Sequence, residues 1–93
     1  METGFYITLN IKTATGFEKY AKFFIGEDRA SALTIFNSLK GESEADEKNF
    51  LQLDFMEIKD KLPLNVKMLS CTLDEMTENF RIITKEIFKR FNL

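Results

Sequence analysis

The chain has 93 residues, with 44% hydrophobic and 30% charged side chains, which are globular proportions that exclude disordered, collagen-like and disulfide-scaffold classes. Thirteen Lys and Arg against fifteen Asp and Glu leave a formal charge of −2. Nucleic-acid binding is therefore the less favoured partner class, because neutralising phosphates normally demands a positive surplus. The absence of His and the presence of one Cys leave little catalytic equipment.

A length this short predicts one domain over 1–93 with a single core, and ten Phe make that core rich in rigid aromatic area. Cys71 has no second Cys for an internal disulfide, which suits a reducing compartment. Met1-Glu2-Thr3-Gly4 lacks the basic start of a signal peptide. No apolar run approaches the roughly 18 residues of a membrane helix, so a cytoplasmic location away from membranes is the expectation.

Residues 5–13 alternate, with Phe5, Ile7, Leu9 and Ile11 on one side and Tyr6, Thr8, Asn10 and Lys12 on the other. Residues 17–25 repeat the pattern, with Phe17, Ala21, Phe23 and Ile25 inward and Glu18, Tyr20, Lys22 and Phe24 outward. Period two of this composition defines half-buried strands. Ala14-Thr15-Gly16 fits a three-residue hairpin loop in which Gly16 takes the left-handed position. Thr13 then faces Phe17, Lys12 faces Glu18, Asn10 faces Tyr20, Thr8 faces Lys22 and Tyr6 faces Phe24. The charge pair and the ring pair both favour that register.

Asp28 is suited to capping a helix over 29–40, whose apolar face is Ala32, Ile35, Phe36 and Leu39. Gly41 falls where a helix C-cap glycine belongs. The acidic stretch 41–49 reads as a polar loop and as the most mobile internal segment.

A third strand covers about 50–59, but Leu51, Leu53 and Phe55 alternate one way while Met56 and Ile58 lie opposite. Either a bulge resets the phase or both faces meet apolar groups. Asp60 to Pro63 forms the next turn, and Leu64, Val66, Met68 and Ser70 mark a fourth strand of undetermined register.

Thr72-Leu73-Asp74-Glu75 is a capping box, opening a helix whose apolar stripe is Leu73, Met76, Phe80, Ile83, Ile87 and Phe91. Acids at its start and Lys85, Lys89 and Arg90 near its end complement the helix dipole, and Glu86 is placed to reach Arg90.

The order ββαββα gives two hairpin-plus-helix units, about 5–40 and 50–92, joined by loop 41–49. They predict an α+β fold: a four-stranded antiparallel sheet with both helices packed on one face. The order of the strands is left open.

Little in the chain points to chemistry. Cys71 precedes a helix cap, a setting that lowers thiol pKa values, but it has no His partner and reads as a small apolar residue closing the fourth strand. Glu42, Glu44 and Asp46 resemble the opening of a calcium loop, yet Glu47 stands where glycine is required and Leu53 where the bidentate acid belongs. No metal and no cofactor is therefore expected. The basic end of the last helix reads as dipole complement.

The outward face of the sheet is the remaining feature. Tyr6, Tyr20 and Phe24 stand there with Lys22, and Met56 and Ile58 extend the patch. The expectation is a non-enzymatic cytoplasmic protein that self-associates as a homodimer or docks a protein partner through this face. The alternative is single-stranded nucleic acid or a small ligand on the same rings, with Lys12 and Lys22 supplying charge.

Overall fold

Alternating strands and amphipathic helices set the architecture, and a computed structural model describes it for residues 3–44 and 48–91. The elements are β1 (Thr3–Thr13), β2 (Gly16–Phe24), α1 (Arg29–Asn37), β3 (Leu51–Lys59), β4 (Leu62–Cys71) and α2 (Leu73–Phe91). One antiparallel sheet runs in the order β2-β1-β3-β4, so each unit supplies one central and one edge strand. The fold is the expected α+β arrangement. The segment predicted to be most mobile includes residues 45–47, which lie outside the described residues.

Ring contacts show why both helices share a face. Phe55 stacks on Phe5 with centroids 5.7 Å apart and meets Phe36 of α1 at 5.3 Å. Phe23 of β2 meets Phe80 of α2 at 5.8 Å. Phe23 and Phe55 both pair with Ile7, so the three point the same way and the helices cover one side together. Phe5, Ile7, Leu9, Leu53 and Phe55 are buried beneath Ile35, Phe36, Met76 and Ile83.

The caps follow the sequence closely. The Ser31 amide donates to Asp28 Oδ2 at 2.9 Å, and hydrogen bonding from Ser31 holds the Asp28 carboxyl below its ordinary range. At α2 the Glu75 amide donates to Thr72 Oγ1 at 3.2 Å and the Thr72 amide donates to Glu75 Oε1 at 2.9 Å. Arg90 reaches Glu86 at 3.4 Å, as its spacing implies.

Helix α1 stops at Asn37 rather than running to residue 40. The Ser38 and Leu39 amides tighten onto the Ile35 and Phe36 carbonyls, and the Lys40 backbone leaves the helix for Asn79. Asn79 is fully buried, accepts from the Lys40 amide at 2.7 Å and donates to its carbonyl at 2.7 Å. Gly41 is consequently not a helix cap. At φ 151° it lies so close to β4 that a Cβ would sit 2.9 Å from the Ser70 carbonyl oxygen and 3.0 Å from Cys71 Sγ. This approach lets Glu42 exchange two backbone hydrogen bonds with Ser70 on the outer edge of β4.

The first hairpin departs from the expected register. Its loop has two residues, and Thr13 pairs with Gly16 (φ 122°). That pairing puts Phe17 and Glu18 out of phase, so Phe17 sits beside Lys12 on the helix-free side and Glu18 beside Ile11 on the helix side. A bulge at Tyr20 inserts the extra residue that returns Ala21 and Phe23 inward. Asn10 consequently faces Lys19 rather than Tyr20, while Thr8 faces Lys22 and Tyr6 faces Phe24 as predicted.

Strand β3 keeps its phase throughout, and apolar groups do meet both of its faces. The irregularity lies in β4, where Val66 is the extra residue between Asn65 and Lys67. Asp60 and Lys61, at φ 52° and 69°, make a tight two-residue turn, so β4 starts at Leu62 instead of Leu64. Pro63 is tolerated because β4 is an edge strand. Leu73, placed by its spacing in the α2 stripe, is 73% exposed because it occupies the first helical position beyond the sheet.

Candidate functional site

Strand geometry distributes the helix-free face into rows, since residues paired across an antiparallel ladder point the same way. Beside Tyr6 stand Phe24 on β2 and Met56 on β3, and beside Gly4 stands Ile58. Lys22 and Asp54 flank Thr8. Five of the six residues predicted for an interaction face, Tyr6, Lys22, Phe24, Met56 and Ile58, are thus gathered on one surface. Tyr20 is the exception: it belongs to the bulge, has no cross-strand partner and is 59% exposed.

The ring end of this face is preorganised. Tyr6 and Phe24 lie 5.2 Å apart at 54°, a tilted pair, and Lys22 Nζ rests 4.2 Å from the Tyr6 ring centroid. Gly4 lies beneath both rings, and a Cβ there would meet Tyr6 Cε2 at 3.2 Å and Phe24 Cε1 at 3.4 Å. Its missing side chain opens the floor of a pocket of about 410 Å³, lined by Thr3, Gly4, Tyr6, Phe24, Glu27, Ile58 and Lys61. The pocket therefore joins an apolar wall to one acid and one base.

The middle of the face is polar and tightly bonded. Asn10 donates to Asp54 Oδ2 at 2.7 Å and Gln52 donates to Asp54 Oδ1 at 2.9 Å. Thr8 and Asn10 are buried although no helix covers them. Both Asp54 oxygens are thereby occupied from within the sheet, which ties three side chains together.

Sequence reading omitted two residues from this surface, Phe17 and Lys19, because both follow from the two-residue loop, whose change of phase the bulge at Tyr20 then reverses. Nothing near Lys19-Tyr20 marks a bulge: it contains neither Gly nor Pro.

Cys71 is fully buried, its thiol 3.4 Å from the Lys40 carbonyl oxygen and 3.5 Å from Asn79 Nδ2. Burial, and secondarily the Glu75 charge, push its pKa up to about 11, opposed by the Asn79 hydrogen bond. Of the calcium-loop acids, Glu42 is tied by its backbone to Ser70, while Asp46 lies outside the described residues. Among the described residues no cluster of acids and Cys is arranged to hold a metal ion, and no helix is long and apolar enough to cross a membrane.

Comparisons of the chain with protein-family models, with curated proteins and with solved structures find no match. The functional reading accordingly rests on the face itself.

Proposed function

We propose that this chain is a non-enzymatic protein-interaction module that docks a partner protein on the helix-free face of its sheet. The observation that carries the reading is the Tyr6, Phe24, Met56 and Ile58 cluster around an open pocket, on the side of the sheet that the core does not use. Contiguous apolar groups with a polar rim are a usual mark of interaction sites. The buried, high-pKa thiol of Cys71 and the absence of His support a non-catalytic role. The same unpaired thiol fits a reducing compartment, and we place the protein in the cytoplasm on that ground.

Docking on the face fits better than adding a strand to an edge. The β2 edge is bulged at Tyr20 and carries Lys19 and Lys22. The β4 edge carries Pro63, a bulge at Val66 and the Glu42 bridge. Such devices blunt edge pairing. A second copy is the competing occupant, and it meets like-charge repulsion wherever Lys12, Lys19 and Lys22 of two faces come together.

The test separates a docking surface from a second core. Replacing Tyr6, Phe24 and Met56 with Thr is expected to change stability by no more than about 1 kcal/mol each, as for partly exposed side chains. A combined loss above about 5 kcal/mol in denaturant unfolding would make the rings structural and remove the reading. Light scattering across concentration then distinguishes occupants. A monomeric wild type leaves a different protein as partner, whereas a dimer dissolved by Phe24→Lys replaces it with a second copy.

A further inference from the structure

The two-residue loop at Ala14-Thr15 changes which residues of β2 face outward, and with them the charge of the helix-free surface. Lys12 lies beside Phe17, Lys19 beside Asn10, and Lys22 beside Thr8. Three consecutive rows therefore each carry one ammonium group, and rows are spaced by the two-residue rise of a strand, about 7 Å. Among the described residues none of these lysines enters an ion pair. Two acids border the strip: Asp54 sits on β3 and is held by Asn10 and Gln52, and Glu27 lines the pocket with Lys61 opposite it in charge. In a chain of net charge −2, this is a segregated cationic strip. The next row, Tyr6 with Phe24 and Met56, turns apolar and opens on the pocket.

We propose that this strip binds a short extended acidic segment of the partner, with carboxylates on alternate residues and an apolar side chain seated in the pocket. The inference rests on the docking role given above and names its ligand chemistry. An extended chain presents every second side chain to the same side, again about 7 Å apart. Its period equals that of the rows, so acids at three alternate positions meet Lys12, Lys19 and Lys22, and the next alternate side chain falls on Tyr6 and Phe24. The carboxylates steer and set register, while the anchor in the pocket slows release. Single-stranded nucleic acid would meet the same cations, but Lys22 covers one face of Tyr6 and leaves Phe17 as the exposed ring within the strip, against a net charge of −2 for the chain.

The test is fluorescence anisotropy with a dye-labelled peptide, Glu-Ser-Glu-Ser-Glu-Ser-Leu, and the full-length protein. A peptide of identical composition, with the three Glu contiguous and Leu central, is the register control. Oligothymidylate is the nucleic-acid control. Saturable binding of the first peptide is expected, weakening about tenfold as salt rises from about 20 to about 200 mM, since the contacts are exposed. The control peptide is expected to bind at least about fivefold more weakly because its anchor misses the pocket. Joint Lys12→Ala, Lys19→Ala and Lys22→Ala substitution should cost about tenfold, while Arg81→Ala with Lys85→Ala on α2 should change nothing. Equal binding of both peptides, indifference to the lysine substitutions, or tighter binding of the oligonucleotide would each overturn the proposal. No peptide binding, with stability unmoved by the ring substitutions above, overturns the acidic-segment proposal alone. A large stability loss from those ring substitutions overturns the docking reading beneath it.

Discussion

The clamp between α2 and the end of α1 yields the sharpest stability prediction. Asn79 holds both backbone groups of Lys40 at 2.7 Å and is itself fully buried. Asn79→Ala removes the acceptor of the Lys40 amide and the better donor of its carbonyl, leaving only the Cys71 thiol at 3.4 Å. Losing the two part-buried hydrogen bonds costs about 1–3 kcal/mol, and the truncated side chain leaves a void worth about 1 kcal/mol more. The total is about 2–4 kcal/mol, which for a domain of this size lowers Tm by about 10–25 °C. Guanidinium unfolding followed by far-UV circular dichroism should show a lower midpoint with an unchanged slope. Asn79→Asp provides a directional check. It keeps the acceptor but buries a carboxylate, whose folded-state pKa burial must raise, so this variant should regain stability as pH falls through that value. A loss below about 0.5 kcal/mol for Asn79→Ala would mean that water replaces the amide, and the clamp would not be what ends α1.

Gly41→Ala should destabilise by at least about 2 kcal/mol, read by the same melt, because its Cβ would sit 2.9 Å from the Ser70 carbonyl oxygen at an unfavourable φ. Thr72→Ala should cost about 1 kcal/mol by opening the reciprocal cap with Glu75. Cys71, with a pKa of about 11, should react with iodoacetamide at pH 8 about a hundredfold more slowly than a free thiol, and faster reaction would contradict its burial. The folded state keeps that proton while the unfolded chain loses it near the ordinary thiol value. Stability should therefore fall between about pH 8.5 and 11, and Cys71→Ala should flatten that decline.

Features written in local chemistry were legible. Both caps depend on side chains within three residues of the amides they satisfy, so Asp28 and Thr72-Glu75 announce them directly. The shared helix face follows from counting apolar stripes. What escaped depends on long-range competition. Helix α1 has good residues up to Lys40, yet Asn79, 39 positions away in sequence, captures the Lys40 backbone. Nothing local in the chain contains that outcome. The swap of Phe17 and Glu18 has a similar origin: the two-residue loop chosen at Ala14-Thr15 sets a parity that only a bulge further along the strand corrects. The same loop places Lys19 among the candidate site residues.

That dependence bears on why the face is both ordered and open. A central strand with an uncovered side exposes its polar backbone to competition from water unless its own side chains shield it. Thr8 and Asn10 lie at the middle of β1, where the hydrogen bond from Asn10 to Asp54 ties β1 to β3 without any helix, and Gln52 of β3 braces the same carboxylate. With the centre held by this polar network, the docking reading expects the rings at the Tyr6 end to add little to the stability of the sheet, and Asp54 already has hydrogen-bond donors without the β2 lysines. Each group is left with unused capacity, one for apolar contact and the other for negative charge. Asp54→Asn removes the local negative charge and keeps one of the two acceptors, while its amide nitrogen replaces the other and faces the donor of Asn10 or Gln52. Stability should fall by about 1–2 kcal/mol for the lost hydrogen bond, while anisotropy should report tighter binding of the acidic peptide at low salt. Unchanged peptide affinity at low salt would show that Asp54 does not modulate the strip and that the lysines do not act through charge.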